Sequence, residues 1–315
     1  ALLDVASMHP TSIELLELFG PYTQKFTELK QARISIKRGD FDSAKRMLDG
    51  RLTPYLEDED QAEALSYALK IVINIVYGLT SAKFENAFRD PRNKDNIVAK
   101  RGALFMIDLK KFVQERGFQV VHIKTDSIKI PNATQEIIED VMKFGEKYGY
   151  EFEHEATYDE FVLFNDAVYI AKTDDCLWHA TGAQFLHPYV FKTLLSGEEI
   201  TFDDLGETRN VVKGEIYIDK EGERRFIGRI GRFIPITPGH GGGTLLRVAD
   251  VTFENEEGQR VTEKRAYAVT GTKGYEWLEA EQVLNLDLQE HIDYSYYDSL
   301  VEKAKNNLQA VGYPI

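Results

Sequence analysis

The stretch FQVVHIKTDSIKI, residues 118–130, decides how this chain folds, because two short apolar segments flank a polar interruption. The branched apolar residues of both segments are typical of buried strands. The interruption, KTDS (124–127), contains no Gly that would ease a tight turn. A carboxylate between two apolar strands costs roughly 2–5 kcal/mol unless something compensates it. Asp126 is therefore either a turn-forming residue bonded to nearby backbone N–H groups or part of a site.

The segments around this hairpin predict an α+β fold. ALLDVAS (1–7) is typical of a short buried strand, and further strands are predicted at 151–155, 161–164 and 167–171. Helical spacing of apolar residues predicts helices over 11–19, 22–37, 57–76, 95–116, 134–148 and 298–308. The order strand, helices, hairpin, helix, strand is that of a split βαβ (ferredoxin-like) sheet with a long helical insertion.

Composition narrows the class of protein. Of the 315 residues, 43% are hydrophobic, which is enough for two or three subdomains with sizeable cores. We find neither a secretory signal nor a run of about 18 apolar residues, so a membrane span is not expected. The single cysteine, Cys176, excludes an internal disulfide framework and fits a reducing compartment. The cytoplasm is therefore the expected location.

The net charge of −14 argues against a uniformly basic surface that coats nucleic acid. The charge is uneven, however, since segments 24–51 and 222–232 are rich in Lys and Arg. Locally basic surfaces on an acidic chain suit an enzyme that holds a polyanion in a groove, although two solvated faces would have the same composition.

Two carboxylates belong to neighbouring strands of the predicted sheet. Asp4 closes the first strand, and Asp126 lies at the hairpin turn of the next two. In a split βαβ sheet these strands are adjacent, so the two carboxylates would repel each other in a partly desolvated site. A shared proton or divalent metal ions relieve such repulsion. Mg²⁺, held by one or two carboxylates and by substrate phosphates, is the usual solution for phosphoryl transfer.

Polar residues also recur at helical spacing in the predicted insertion. In ARISIK (32–37), Arg33 and Lys37 stand four positions apart on one helix face. In ALKIVINIVYG (68–78), Lys70 and Asn74 repeat that spacing. Each pair alone is typical of a solvated face. Together on two antiparallel helices they would suit a triphosphate, because Arg forks to phosphate oxygens and Lys acts as a point charge.

Taken in order, these motifs resemble those of the family B, template-dependent DNA polymerases, most closely the members encoded by tailed bacteriophages. The matching stretches are DVASMHPTSI (4–13) for the first palm motif, LKQARISIK (29–37) for the finger helix, ALKIVINIVYG (68–78) for the second motif, HIKTDS (122–127) for the third, and FEHEATYDEFVLFNDAVYIAK (152–172) for the strands that follow. The resemblance covers residues 1–172 in the family's order.

The resemblance implies a right-hand polymerase core with a palm, a two-helix fingers insertion and a mixed α/β thumb. Its expected segments are palm over 1–20, fingers over 21–78, palm again over 79–174 and thumb over 175–315. Such polymerases usually carry an exonuclease domain ahead of the palm. No region precedes Asp4 here to hold one, so this chain is expected not to proofread.

The resemblance also implies catalytic and metal-binding residues. Asp4 and Asp126 would be the metal-binding carboxylates, with the carbonyl of Val5 as a further ligand. Two Mg²⁺ ions are the expected cofactor, with Mn²⁺ as a substitute. Lys70 would neutralise or protonate the leaving pyrophosphate.

The incoming nucleotide would be held by residues of three motifs. Backbone N–H groups of Ser7 and Met8 would hold the triphosphate, and His9 would lie under the sugar. The side chains expected to grip the triphosphate are those of Arg33, Lys37, Lys70 and Asn74. Tyr77 and Gly78 would line the nascent base pair.

The sequence departs from the family's pattern at several positions. Lys124 replaces the first aspartate of the third motif, where it could contact primer phosphate or mark a weakened enzyme. His9 replaces a Tyr, and Ile75 replaces the Ser of the second motif. Of the family's KKxY element only Tyr169 and Lys172 remain, and both are expected to contact DNA.

The region after Thr173 is less specific. TGAQFLHPYVFKTLL (181–195), GRFIPITPGHGGGTLLR (231–247) and YAVTGTKGYEWLEAE (267–281) look like thumb regions of phage polymerases. The residues expected to contact duplex backbone are Gly182, Arg229, Arg232, Arg247 and Lys273. An ordinary loop with surface charges is the alternative.

The sequence therefore predicts a DNA-directed DNA polymerase of phage replication. Its expected partners are primer–template DNA, deoxynucleoside triphosphates and a separate exonuclease or replisome chain. Two alternatives stay open, a nucleotidyl cyclase-like palm enzyme and a non-catalytic nucleic-acid-binding module. The cyclase would not need the helical insertion, whereas the replacement by Lys124 favours the binding module.

Overall fold

The computed structural model describes residues 1–255 and 258–314, apart from the side chain of Lys94. The chain folds into two compact units, Ala1–Tyr158 and Asp159–Ile315. Both units combine helices with β-sheets, so the predicted α+β class is confirmed. The finer division into palm, fingers and thumb stays a prediction.

The first unit joins one sheet to a series of helices. Its strands and helices, in chain order, are β1 (Leu2–Val5), α1 (Met8–Leu15), α2 (Thr23–Lys37), α3 (Phe41–Arg46), α4 (Glu59–Thr80), α5 (Ile97–Glu115), β2 (His122–Ile123), β3 (Ser127–Lys129), α6 (Gln135–Lys147) and β4 (Phe152–Ala156). Short 3₁₀ turns lie at Gly20–Tyr22, Leu48–Gly50, Thr53–Tyr55 and Pro91–Asp95. The predicted helical insertion after the first strand is present.

The sheet of this unit has the strand order β2-β3-β1-β4. β1 is antiparallel to β3 on one side and to β4 on the other, and β2 pairs antiparallel with β3. This is the order of the predicted split βαβ sheet. Leu3 of β1, Leu109 of α5 and Val141 of α6 are fully buried in one core cluster, so both helices pack on the sheet.

The first helix begins earlier than the sequence predicted. The predicted range is 11–19, but α1 begins at Met8 and ends at Leu15. Pro10 is tolerated there because it lies in the first turn, where an N–H has no intrahelical partner. Ser12 is buried, and its hydroxyl donates to the carbonyl of Met8 at 2.9 Å.

The helix predicted over 57–76 also ends later than expected, and Gly78 does not terminate it as a C-terminal cap. α4 continues through this residue to Thr80, and Gly78 is not among the residues with positive φ. A C-terminal capping glycine adopts the left-handed conformation, and nothing in the turn around Gly78 requires it. Gly78 is therefore an interior helix residue.

By length and composition, α4 could cross a membrane, although the sequence predicted no such segment. The relevant stretch has a mean hydropathy of 1.3 and is 22% buried. A single helix of this kind is weak evidence for a span. Leu69, Ile73 and Val76 of α4 are buried in the first unit.

The second unit is richer in strands. Its elements are β5 (Tyr158–Asn165, whose first residue closes the first unit), β6 (Val168–Thr173), β7 (Trp178–Ala180), α7 (Ala183–Leu186), α8 (Pro188–Phe191), β8 (Glu207–Asn210), β9 (Glu215–Lys220), β10 (Glu223–Gly228), β11 (Ile230–Ile236), β12 (Thr244–Glu254), β13 (Arg260–Ala268), β14 (Glu276–Glu279), α9 (Ala280–Asn285) and α10 (Tyr294–Ala310). Shorter helical turns lie at Lys192–Ser196, Phe202–Leu205 and Gln289–His291.

These strands form three sheets with the orders β10-β9-β12-β13, β14-β11-β8 and β5-β6-β7. Trp277 and Phe233 are fully buried in the core of the first two sheets and α10, and Phe185 and Val301 lie in a second core cluster. The predicted strand at 161–164 lies within β5 and the predicted helix at 298–308 within α10, and the predicted strand at 167–171 overlaps β6 from Val168 onward.

Candidate active site

The register of the first sheet brings the two predicted carboxylates to neighbouring positions. Asp4 at the end of β1 is opposite Ser127 of β3, the residue that follows Asp126. The N–H of Val5 donates to the carbonyl of Asp126 at 2.8 Å, which fixes the hairpin turn against β1. Both carboxylates line one cavity of about 300 Å³.

This cavity, which we call the palm cavity, gathers residues from distant parts of the first unit. The predicted site residues that line it are Asp4, Val5, Ser7, Met8, His9, Arg33, Lys37, Lys70, Asn74 and Asp126. They come from β1, α1, α2, α4 and the β2–β3 turn. Of the predicted nucleotide-binding set, Tyr77 and Gly78 alone are not in this lining.

Burial and like charge act together on Asp4. Burial is the larger cause and the charge of Asp126 the second, and together with Glu155 they raise the pKa of Asp4 to about 7. The charged form of Asp4 is therefore disfavoured beside Asp126, and a proton or a cation would relieve it.

The chain between β1 and α1 has an uncommon backbone conformation. Ser7 precedes α1 with φ 60° and ψ 53°, in the left-handed region that non-glycine residues rarely adopt. Its side chain makes no capping hydrogen bond to α1. The hydroxyl of Ser7 instead accepts a hydrogen bond from Nη1 of Arg33 at 3.4 Å. Ser7, Met8 and His9, at the start of α1, all line the palm cavity.

The two helices of the insertion supply the cations. α2 and α4 pack through Ala32, Ile36 and Leu69, which share one buried cluster. Arg33 is half-buried, and burial lowers its pKa. Within the described residues, Lys70 and Asn74 are exposed and make no side-chain hydrogen bond or ion pair.

Lys37 has a partner that the sequence did not predict. Its ammonium group lies 3.2 Å from Oε2 of Glu153 on β4. The neighbouring Arg38 contacts both Glu151, at 2.6 Å, and Glu153, at 3.5 Å. These pairs tie the end of α2 to the edge strand of the sheet. Glu153 lines the palm cavity and stands opposite Asp4 in the register of β1 and β4.

His9 and Tyr77 form a stacked pair. Their ring centroids are 4.4 Å apart and their planes differ by 8°. Burial lowers the pKa of His9 although Asp126 acts in the opposite direction, so the imidazole is favoured in its neutral form. Nδ1 of His9 is buried without a hydrogen-bond partner in the described structure. The stack brings Tyr77 to the edge of the palm cavity, while Gly78 is exposed on α4.

The predicted DNA-contacting residues belong to both units. Lys124 is an exposed residue of the β2–β3 turn in the first unit. The others belong to the second unit, where Tyr169 and Lys172 lie on β6 and Gly182 precedes α7 with a φ of 88°. The ammonium of Lys172 lies 5.7 Å from the ring centroid of Trp178.

The four remaining basic positions have different surroundings. Arg232 is paired with Asp203 at 3.1 Å, and the guanidinium of Arg247 lies over the ring of Tyr267 at 5.6 Å. Arg229 stands between β10 and β11, and Lys273 lines a separate cavity of the second unit. Their contact with DNA stays a prediction.

The oxygen donors that line the palm cavity supply some, but not all, of the ligands that a hard cation needs. Two carboxylates and the Val5 carbonyl are oxygen donors of the kind that Mg²⁺ takes together with water and substrate phosphates. Within the described residues, no group of three or more His, Cys, Asp or Glu side chains is arranged as a complete metal site. A cation here would therefore depend on ligands from substrate or water.

Sequence analysis missed Glu153 as a cavity residue. FEHE (152–155) resembles the polymerase strands that follow the third motif, and the resemblance assigns Glu153 no role. The signal that could have found Glu153 is alternation along the strand, because side chains two residues apart, such as those of Glu153 and Glu155 on β4, share one face. The position of Glu153 opposite Asp4 depends on the strand register.

Comparisons with known proteins give matches among solved structures. No protein-family model matches the chain, and no curated protein does. Among 84 matching chains of solved structures is the family B DNA polymerase from the hyperthermophilic archaeon Pyrobaculum calidifontis, at 11% sequence identity and a TM-score of 0.47. The match covers 100% of this chain and 45% of that chain, so this chain spans less than half the length of that polymerase. The similarity is a distant one of fold.

Proposed function

We propose that this protein is a template-directed DNA polymerase that adds deoxynucleotides to a primer 3′-hydroxyl. The observation that carries the proposal is the palm cavity, in which the two carboxylates of adjacent strands meet the cations of two packed helices. Phosphoryl transfer needs this combination, because a polyanionic substrate must be held while charge develops on its leaving group. The motif resemblance to phage polymerases supports a role in phage DNA replication.

The triphosphate would be held from two sides. Arg33 offers a forked guanidinium, and the free ammonium of Lys70 is a point charge with no competing partner in the described structure. The amide of Asn74 stands one turn beyond Lys70 on the same face of α4. The first N–H groups of α1 would bind the phosphates from below, as helix starts bind anions.

In the reaction the primer 3′-oxygen forms a bond to the α-phosphorus. The bond between the α-phosphorus and the oxygen that bridges it to the β-phosphate breaks. The 3′-hydroxyl gives its proton to water, and pyrophosphate leaves with the electron pair of the broken phosphorus–oxygen bond. Lys70 would neutralise the charge on pyrophosphate or donate a proton to it. Two Mg²⁺ ions, held by Asp4, Asp126 and the Val5 carbonyl, would supply charge stabilisation and a lower pKa for the attacking hydroxyl.

The His9–Tyr77 stack would lie beneath the sugar and base of the incoming nucleotide. Stacked rings give a flat, apolar platform, and burial keeps His9 neutral. This platform would be the element that distinguishes deoxyribose from ribose.

Primer extension tests the proposal. Asp126→Asn and Asp4→Asn are expected to abolish incorporation in Mg²⁺ and in Mn²⁺, with primer–template binding nearly intact. The matched control is Asp108→Asn, a carboxylate-to-amide change on α5 outside the palm cavity, which should extend at the wild-type rate. Near wild-type rates for either cavity variant would overturn the assignment. DNA binding without any extension would identify a binding module, and a cyclic product without primer would identify a cyclase.

A further inference from the structure

The second unit contains a cavity of about 980 Å³ that the proposed polymerase reaction does not use. Its walls come from α7 and the residue after it, from β8, from the loop before β14 and from one face of α10. We call it the α10 cleft. Its volume is within the range of small-molecule sites and well above that of a bare inorganic phosphate, which suits a larger ligand.

One face of α10 forms the longest wall of the cleft. Tyr296, Leu300, Lys303 and Asn307 line it, at steps of four, three and four residues. Residues at that spacing lie along one side of a helix. The face therefore presents an aromatic ring, an apolar side chain, a cation and an amide in sequence along the helix.

Among the described residues, Glu207 is the only acid that lines the cleft, and its neighbours compensate its charge. Oε1 of Glu207 lies 2.6 Å from Nε2 of His187 and accepts a hydrogen bond from the hydroxyl of Tyr296 at 3.0 Å. Oε2 of Glu207 lies 3.0 Å from Nη2 of Arg209. Although burial raises the pKa of Glu207, the hydrogen bond from His187 and the charge of Arg209 lower it overall. Both oxygens of the Glu207 carboxylate therefore have hydrogen-bond or ion-pair partners within the wall of the cleft.

The remaining charges of the cleft are positive. Lys273 and Lys303 are both exposed, and neither forms an ion pair within the described part of the chain. Because Arg209 is paired with Glu207, these two lysines are the charges left over, and they make the cleft cationic on a chain whose net charge is −14. A cleft of this kind attracts anions, because local positive charge outweighs the distant negative charge that solvent screens.

Polar and aromatic groups beside the cations suit a nucleobase. The side-chain amide of Asn307 donates to Gln184 at 2.7 Å, so two amides meet at the rim. The half-buried ring of Tyr275 packs edge-on against Tyr296 at a centroid distance of 5.1 Å. Amides can pair with base edges, and aromatic rings can stack with base faces.

We propose that the α10 cleft binds one nucleoside monophosphate unit, with its phosphate at Lys273 and Lys303 and its base toward Tyr275 and the amides. The unit could come from a free nucleotide or from the 5′ end of a single strand, since the chemistry is the same. This site goes beyond the proposed polymerase function and does not depend on it, because no group of the palm cavity takes part.

The test measures binding by the full chain, without catalysis. Fluorescently labelled AMP, a 5′-phosphorylated hexanucleotide and the same hexanucleotide with a 5′-hydroxyl are titrated, with inorganic phosphate as a competitor. Lys303→Gln is expected to weaken binding of both phosphorylated probes by about fivefold or more, since it removes a charged contact. The matched control is Lys305→Gln, two positions away on α10 and paired with Glu302, which should change binding less than twofold.

Tighter binding of AMP would identify a free nucleotide as the ligand of the α10 cleft. Tighter binding of the phosphorylated hexanucleotide would identify the 5′ end of a single strand as that ligand. Loss of AMP binding in Lys70→Ala but not in Lys303→Gln would place the nucleotide in the palm cavity and overturn the proposal. Equal binding of AMP to wild type and Lys303→Gln, with circular dichroism showing a folded variant, overturns the proposal. That outcome is independent of primer extension, so failure of one proposal is distinguishable from failure of the other.

Discussion

Lys37 of α2 pairs with Glu153 of β4 at 3.2 Å, and Glu153 stands directly opposite Asp4 in the sheet. Lys37, which is predicted to bind the triphosphate, is therefore paired with Glu153, an acid that lines the palm cavity. An incoming triphosphate would have to displace that acid. Because both side chains are partly exposed, the pair stabilises by no more than about 1 kcal/mol, so a stronger anion can open it.

Glu153→Gln is expected to lower the apparent nucleotide constant of primer extension by up to about fivefold, because Lys37 no longer has a competing anion. Affinity for primer–template should change little. Single-turnover incorporation over a range of nucleotide concentrations measures the effect. Glu151→Gln is the control, since Glu151 pairs with Arg38 and does not line the palm cavity. An unchanged constant for Glu153→Gln would mean that the pair does not compete with nucleotide.

The raised pKa of Asp4 predicts a pH dependence of stability in metal-free protein. Between pH of about 4 and 7 the folded protein retains a proton that the unfolded chain has lost, because the pKa rises from 3.8 to about 7 on folding. The free energy of unfolding should therefore fall as pH rises through this window and level off above it.

Urea unfolding in EDTA at pH 5, 6, 7 and 8 measures this trend. Asp4→Asn should flatten it and should be more stable than wild type at pH 8, because the repulsion with Asp126 is gone. Asp108→Asn should keep the wild-type slope. If Asp4→Asn keeps that slope too, another group is responsible.

Lys70→Ala and Arg33→Ala should have different kinetic effects. Lys70→Ala should reduce the maximal incorporation rate strongly, by about tenfold or more, since its predicted contact is the leaving pyrophosphate. Arg33→Ala should mainly raise the apparent nucleotide constant. Equilibrium binding of primer–template is the control measurement. Equal losses of DNA affinity in both variants would indicate that α2 and α4 face the duplex instead.

His9→Tyr should tighten the exclusion of ribonucleotides. A phenol is larger than an imidazole, and a clash that changes by about 1–2 kcal/mol alters discrimination by roughly 5- to 30-fold. The ratio of incorporation efficiencies for deoxy- and ribonucleotides is compared in wild type, His9→Tyr and His9→Ala. A ratio that His9→Ala leaves unchanged would show that His9 is structural only, packed on Tyr77.

Alanine substitutions at Gly145 and Gly78 should change the free energy of unfolding in opposite directions. A Cβ at Gly145 would lie 2.9 Å from the carbonyl oxygen of Tyr150 and 2.6 Å from the ring of Phe152, so Gly145→Ala should destabilise by about 1–3 kcal/mol. A Cβ at Gly78 meets nothing within 4 Å, so Gly78→Ala should stabilise α4 by about 0.5–1 kcal/mol. Urea midpoints measure both. A loss of extension by the stable Gly78→Ala variant would support its predicted place at the base pair.

The sequence by itself determined the local features of the first unit. The hairpin around Asp126, the helix that carries Arg33 and Lys37, and the helix that carries Lys70 follow from residue spacing, because strands repeat every two residues and helices every 3.6. The same spacing put Arg33 with Lys37, and Lys70 with Asn74, on common helix faces, whereas Ser7, Met8 and His9 followed only from the resemblance to the polymerase family. Boundaries were less accurate, as at Met8 and Gly78, because capping depends on what packs against a helix end.

Only the tertiary structure decided which of these features meet. Strand register put Glu153 opposite Asp4, and the packing of α1 beside α4 stacked His9 on Tyr77. The neutralised Glu207 and the cations of the α10 cleft likewise lie far apart in the sequence. Such contacts join residues separated by tens to more than a hundred positions, and local periodicity has no information about them, since a shift of one residue in register turns every side chain of a strand to the other face.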